Sequence, residues 1–168
     1  MTDETPASIT VRDATPEDRP QLVRFMAELN AYEHALQPDR ALGEKAADAH
    51  LAYLEALVAR QRGFVLVAEE SGGVQGFLLG IVEEEDGSYV IPEARPYGYV
   101  TDLFISEIAR GRGVGRALMD EAERRFRDAG LPSIRVTALA ANEGACGTYE
   151  GLGYQHHAIT FAKALNQD

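Results

Sequence analysis

One cysteine in 168 residues, Cys146, leaves no partner for an internal disulfide and too few thiolates for a cysteine-rich zinc site, a usage that fits a reducing compartment. Basic residues are also scarce: 16 Lys and Arg stand against 27 Asp and Glu, a net charge of -11. A surface that tracks nucleic-acid phosphates needs the opposite excess, so no nucleic-acid partner is expected and a cationic one fits better. No apolar run approaches the roughly 20 residues that cross a bilayer. The opening Met1-Thr2-Asp3-Glu4 is acidic, without a basic leader or an apolar segment. The expectation is therefore no secretory signal, a cytoplasmic location and no membrane partner. Internal repeats and low-complexity tracts are absent as well.

What is present reads as a globular α/β chain. Hydrophobic residues make up 45% and charged residues 26%, enough for one folded domain, expected over residues 9–165 behind a short tail, 1–8. Ile9 to Arg12 is a short strand candidate, and Thr15-Pro16-Glu17-Asp18 supplies an N-cap, an N1 proline and acidic first-turn residues for a helix. That helix carries Leu22, Phe25, Met26, Leu29 and Tyr32 on one stripe, and a second, about Gly43 to Gln61, repeats the pattern with Ala47, Leu51, Leu54 and Val58. The apolar runs Phe64 to Ala68 and Gly76 to Val82, separated by Ser71-Gly72-Gly73, predict a hairpin buried on both faces. Glu83 to Tyr97 reads as the longest structureless stretch, Tyr99 to Ile105 as the fourth strand, and Val114 to Ala129 as an amphipathic helix. Ser133 to Leu139 alternates as a strand, Asn142 to Gly151 is a short helix, and Tyr154 to Lys163 predicts a last strand. The order βαα-βββ-αβαβ implies a mixed sheet with helices on both faces.

Between the fourth strand and the amphipathic helix lies Ile105-Ser106-Glu107-Ile108-Ala109-Arg110-Gly111-Arg112-Gly113-Val114-Gly115-Arg116. The last amides of this turn form the unsatisfied first turn of the helix, a geometry that attracts phosphate through aligned N–H donors and the positive end of the helix dipole. Arg110, Arg112 and Arg116 add local positive charge to an acidic chain. Two rival phosphate loops fail on spacing. A Walker loop ends in Gly-Lys-Ser/Thr, whereas Gly115 is followed by Arg116-Ala117; a dinucleotide fingerprint needs a glycine where Leu118 stands and an acidic residue where Leu139-Ala140 stands.

The remaining pattern, R-x-x-G-x-G at Arg110, Gly113 and Gly115, together with Asn142-x-x-Ala145-x-x-x-Tyr149-x-x-x-Gly153-Tyr154, resembles the GNAT superfamily of acyl-coenzyme A dependent N-acyltransferases. The resemblance implies a mixed, mostly antiparallel sheet splayed between the fourth and fifth strands, and acetyl-coenzyme A (acetyl-CoA) as co-substrate. It implies that the pyrophosphate sits on the amides of Gly111, Arg112, Gly113, Val114, Gly115 and Arg116, next to Arg110. Leu103, Phe104 and Ile105 would then hold the pantetheine arm through main-chain hydrogen bonds, one of their amides polarising the acetyl carbonyl. By the same resemblance Asn142 contacts the pantetheine and the Tyr149 phenol serves the departing thiolate. For the proton of the attacking ammonium, Asp102 on the fourth strand and Glu33 at the end of the first helix are both candidates, acting through water.

Glu28-Leu29-Asn30-Ala31-Tyr32-Glu33 is similar to the first-helix pattern of diamine and polyamine acetyltransferases in that superfamily, where the Tyr-Glu pair contacts the acceptor. The chain departs from them at Thr101, where that group carries a glutamate. The reading that follows is an enzyme acetylating a small cationic amine. A protein lysine or N-terminal amine is the variant acceptor, and a catalytically idle acyl-CoA-binding module is the alternative from another class. Homodimers are common in the superfamily, although no residue here marks one. His156 and His157 alternate across their segment and share no face, so no metal site is expected; His34 and His50 read as isolated surface or packing residues, and Cys146 as unreactive.

Overall fold

The structure is a computed structural model and describes residues 8–165; apart from Ser8, the expected N-terminal tail lies outside the described residues. Two compact units divide the chain after Thr137.

In the first unit, β1 (Thr10–Asp13) is followed by a 3-10 turn, Pro16–Asp18, that runs into α1 (Arg19–Leu36). The start is held by the Asp18 carboxylate, which accepts hydrogen bonds from the Thr15 amide at 2.7 Å and the Thr15 hydroxyl at 3.2 Å. α2 (Glu44–Arg60) opens at Gly43, whose φ of 91 suits a residue without Cβ. β2 (Phe64–Glu70) and β3 (Gly73–Glu84) form the expected hairpin. Ser71 and Gly72, with φ 53 and 80, make the two-residue turn whose twist matches the strands. β4 (Pro96–Ile105) pairs with β3 as far out as Glu84↔Pro96. The stretch expected to be structureless is therefore shorter than its punctuation suggests, and it contains a 3-10 turn at Pro92–Ala94. α3 (Val114–Asp128) and β5 (Ile134–Val136) complete the unit.

The sheet order is β1-β2-β3-β4-β5, antiparallel except for the parallel β4–β5 pair. On one face Leu22, Phe25 and Met26 of α1 and Ala47, Leu51 and Leu54 of α2 close over Val67, Phe77, Leu79 and Phe104. Phe25 and Phe104 set their ring centroids 5.1 Å apart, the tilted contact aromatic pairs favour. On the other face α3 buries Val114, Leu118, Met119, Ala122 and Phe126. Gly80 and Gly98 leave room there for the Phe126 ring.

β4 and β5 pair only over Gly98–Val100 and Ile134–Val136, so the two strands part beyond Val100, the splay the resemblance implies. β4 also carries a bulge. Leu79 faces Asp102 while Gly80 faces Val100, which leaves Thr101 as the extra residue. One extra residue shifts the alternation of everything after it. Gly98 sits under Phe126 on the α3 side, whereas Phe104 lies in the α1–α2 core.

In the second unit, α4 (Glu143–Gly151) starts at Asn142, whose side-chain oxygen accepts from the Ala145 amide at 3.1 Å. The strand expected from Tyr154 to Lys163 does not form: the segment has no ladder, and residues 155–165 are exposed. Alternating apolar residues suit a pleated surface, but a strand exists only where a neighbouring strand accepts its N–H and C=O groups.

Candidate active site

The turn after β4 is built to gather amides. The Ser106 amide donates to the Gln75 carbonyl at 2.8 Å, a 3-10 turn at Glu107–Ala109 buries Ala109, and the chain then passes through Gly111 and Gly113 with φ 72 and 93. Gly113 is the left-handed N-cap of α3 and offers no side-chain cap. The helical ladder begins with the Ala117 amide on the Gly113 carbonyl at 2.9 Å. The amides of Val114, Gly115 and Arg116 precede it and have no carbonyl one turn back. Three amides without a helical acceptor thus lie at the positive end of a 15-residue helix, a geometry that favours an anion. Its arginines differ. Arg112 is tied at 3.0 Å to Glu70, a carboxylate buried at the end of β2; Arg110 donates to the Ile105 carbonyl at 3.3 Å; Arg116 is exposed.

Next to the turn, the bulge decides which main-chain groups of β4 are open. The Gly98 amide donates to Ser133 on the β5 side, whereas the Ser106 amide donates to Gln75 of β3. Across Thr101 the alternation therefore reverses. Phe104, opposite Phe77, turns its N–H and C=O toward β3, and Leu103 and Ile105 turn theirs toward the splay. Of the three residues expected to hold a ligand arm, Leu103 and Ile105 have the required direction, and Phe104 contributes its ring to the core.

The same bulge sends the Asp102 side chain to the α1–α2 face, where His50 of α2 meets it. Nε2 of His50 is 3.6 Å from Oδ1 of Asp102, the carboxylate being 14% exposed and the imidazole 43%. Asp102 raises the imidazole pKa above its usual value, partial burial opposes the rise, and Glu33 adds to it. Glu33 of α1 is half-buried and paired with Arg40 at 3.2 Å. Arg40, on the α1–α2 connection, also pairs with Asp39. Tyr32 is 45% exposed and stands outside the core that takes Leu22, Phe25 and Met26. Glu33, His50 and Asp102 thus converge from three elements. Read along the chain, His50 is an isolated histidine, and no local pattern ties it to Asp102.

Asn142 and Tyr149 belong to the second unit. Asn142 caps α4 with its side-chain oxygen, and the Tyr149 ring lies 6.0 Å from that of Tyr154 at 59°. Among the described residues no group of three or more His, Cys, Asp or Glu could hold a metal ion.

Comparison with known proteins gives this arrangement a context. Residues 25–154 match the model of the acetyltransferase (GNAT) family. A mycothiol acetyltransferase from Propionibacterium freudenreichii subsp. shermanii is 34% identical over 92 residues, 55% of this chain; the chain spans only 27% of that relative's length. The BH1408 protein of Bacillus halodurans, solved as a mutant, superposes with a TM-score of 0.79 at 19% identity, covering 94% of this chain and 99% of that one. An aminoglycoside N-acetyltransferase solved in complex with coenzyme A has a TM-score of 0.67 at 15% identity, over 97% and 99% of the two chains. With the family model matching well over half of its residues, the chain belongs to the GNAT family of acetyltransferases.

Proposed function

We propose that this protein transfers an acetyl group from acetyl-CoA to the primary amine of a small cationic acceptor, by direct attack within a ternary complex. The observation that carries the reading is the pairing of an uncapped α3 N-terminus, reached through left-handed Gly111 and Gly113, with a β4 edge whose Leu103 and Ile105 turn outward. The first suits a pyrophosphate and the second an extended amide-bearing arm, so the two together suit coenzyme A.

In this reading the amides of residues 111–116, with Arg110 and Arg116 alongside, hold the pyrophosphate, while Arg112 stiffens the turn through Glu70. Leu103 and Ile105 pair with the pantetheine, and one of their amides receives the developing oxyanion without reorganisation. The amine nitrogen bonds to the acetyl carbon as the carbon–sulfur bond breaks, the Tyr149 phenol gives its proton to the thiolate, and the proton shed by the nitrogen as the amide forms restores the phenol through solvent. By the family resemblance Asn142, its side-chain oxygen engaged in the α4 cap, is assigned to the same arm. Tyr32 and Glu33, whose carboxylate is shared with Arg40, contact the acceptor, and Asp102 draws its ammonium in; two carboxylates at the acceptor face favour a di- or polycation over a monoamine. Relatives named for mycothiol and for aminoglycosides support a small-molecule acceptor. The one-domain organisation over residues 9–165 and a cytoplasmic location belong to the same reading.

Calorimetry with acetyl-CoA and thiol release over a panel of polyamines, aminoglycosides, amino acids and lysine peptides test it together. Gly113→Asp sets a carboxylate at the phosphate position on a left-handed residue, and affinity should fall at least tenfold, about 1.4 kcal/mol. Unchanged affinity in a variant with parental circular dichroism removes the turn from the site. Binding without thiol release from any amine leaves the idle module instead.

A further inference from the structure

We propose that His50 takes the proton of the acceptor ammonium on its Nδ1 nitrogen while Asp102 fixes the ring from the Nε2 side. The proposal rests on the acetyltransferase reading above and assigns its proton acceptor.

Geometry comes first. Asp102 is the residue between the Thr101 bulge and Leu103, whose main chain opens toward the splay. A carboxylate there stands beside the place proposed for the thioester. His50 approaches the carboxylate with Nε2 at 3.6 Å. That is an ion-pair separation, longer than a direct hydrogen bond. An imidazole whose Nε2–H is directed at a carboxylate keeps its basic lone pair on Nδ1, so the partner sets the tautomer. The half-exposed ring then has one nitrogen for Asp102 and the other left to receive a proton.

The rival groups suit the task less well. A free carboxylate titrates several units below an alkylammonium and is a weak base near neutral pH, where an imidazole is matched to the work. Glu33 is engaged by Arg40. The charged groups facing His50 are Asp102 from β4 and Glu33 from α1, with Arg40 of the connection behind Glu33; Tyr53 lies one turn further along α2. Both carboxylates favour the imidazolium, so the ring accepts the proton more readily than a free histidine would. Proton bookkeeping closes within the site. The ammonium loses one proton to Nδ1 and the neutral amine attacks; the second proton, shed by nitrogen as the amide forms, balances the one delivered to the departing thiolate, and the exposed imidazolium returns the first to water.

Two measurements on the full chain decide the matter. NMR titration of the His50 ring, assigned by its loss in His50→Gln, should give a value above that of a free histidine in the parent and a lower one in Asp102→Asn. The pH profile of kcat/KM, taken with the best amine of the panel, should rise along a limb at the His50 value. That limb should move to lower pH in Asp102→Asn. His50→Gln should lower kcat about 10²–10⁴-fold with acetyl-CoA affinity unchanged. A titration indifferent to Asp102→Asn overturns the pairing. Parental kcat and pH profile in His50→Gln overturn the assignment while leaving the acetyltransferase reading intact. If no amine on the panel turns over, both fall, and the substrate-free titration still reports whether the pair exists.

Discussion

Single side chains in this protein mean different things depending on what lies across from them. Asp102 and His50 form one unit only because a bulge turns the first toward the helix that carries the second. Arg112, in a run of arginines that reads as uniform positive charge, is paired with the buried Glu70 carboxylate. Tyr149 has two readings at this scale, a proton donor to the thiolate or a ring packed near Tyr154. Tyr149→Phe keeps the ring and removes the hydroxyl. Turnover should fall about 10²–10⁴-fold, with acetyl-CoA affinity nearly constant. Parental turnover under conditions where chemistry limits the rate assigns the residue to packing alone.

At the scale of elements, α3 and the sheet beneath it are fitted to each other by missing side chains on β3 and β4. A Cβ at Gly98 would lie 2.4 Å from Cγ and Cδ2 of Phe126, and one at Gly80 would lie 2.8 Å from the Phe64 ring. Phe64 and Phe126 are themselves in contact, with centroids 5.0 Å apart, so neither ring can retreat easily. Gly98→Ala should therefore destabilise the protein by about 1–3 kcal/mol, the usual effect of overpacking. Gly115→Ala gives the contrast: its Cβ would meet Ile105 at 3.6 Å, an ordinary contact, inside a helix that prefers alanine. Urea unfolding of the two variants checks the pair, and equal midpoints would mean that Phe126 moves without penalty. Glycines of both kinds look alike in the sequence, where only the punctuation of turns marks them.

Across the whole molecule, an excess of acid is managed by a few arginines that each take two carboxylates. Arg12 binds Asp18 at 2.7 Å and Glu69 at 2.6 Å, joining β1, the start of α1 and the end of β2. Arg125 binds Asp13 at 2.6 Å and Glu121 at 2.8 Å, joining α3 to β1. The Arg12 guanidinium pulls the Asp18 carboxyl down to about 2 against the resistance of burial. A carboxyl depressed on folding contributes stability above its ordinary pKa and loses that contribution as pH falls through its folded value. Asp18→Asn should thus cost about 1.5–3 kcal/mol at pH 7, the range for hydrogen bonds to a charged group. The gap should begin to close below about pH 4 and vanish only below about pH 2. Unfolding curves at several pH values test this, and a gap independent of pH would assign the loss to something other than the Asp18 charge.

The sequence by itself determined the helices, the hairpin, the glycine turn and the family. Each is written in neighbours: periodicity along a helix, two residues in a β-turn, glycines ahead of an uncapped helical turn. Candidate residues at the turn, on β4 and on α1 were legible for the same reason. Tertiary structure alone decided the rest. Ladder length extended β3 and β4 into a stretch that looked structureless, because pairing rather than composition ends a strand. Lack of pairing left 154–163 without the strand its alternation predicted. The Thr101 bulge is a mismatch between two strands and exists in neither sequence segment alone, yet it aims Asp102 at His50 and opens Leu103 and Ile105. Register and side-chain encounters are properties of pairs of segments far apart in the chain, and only folding brings those pairs together.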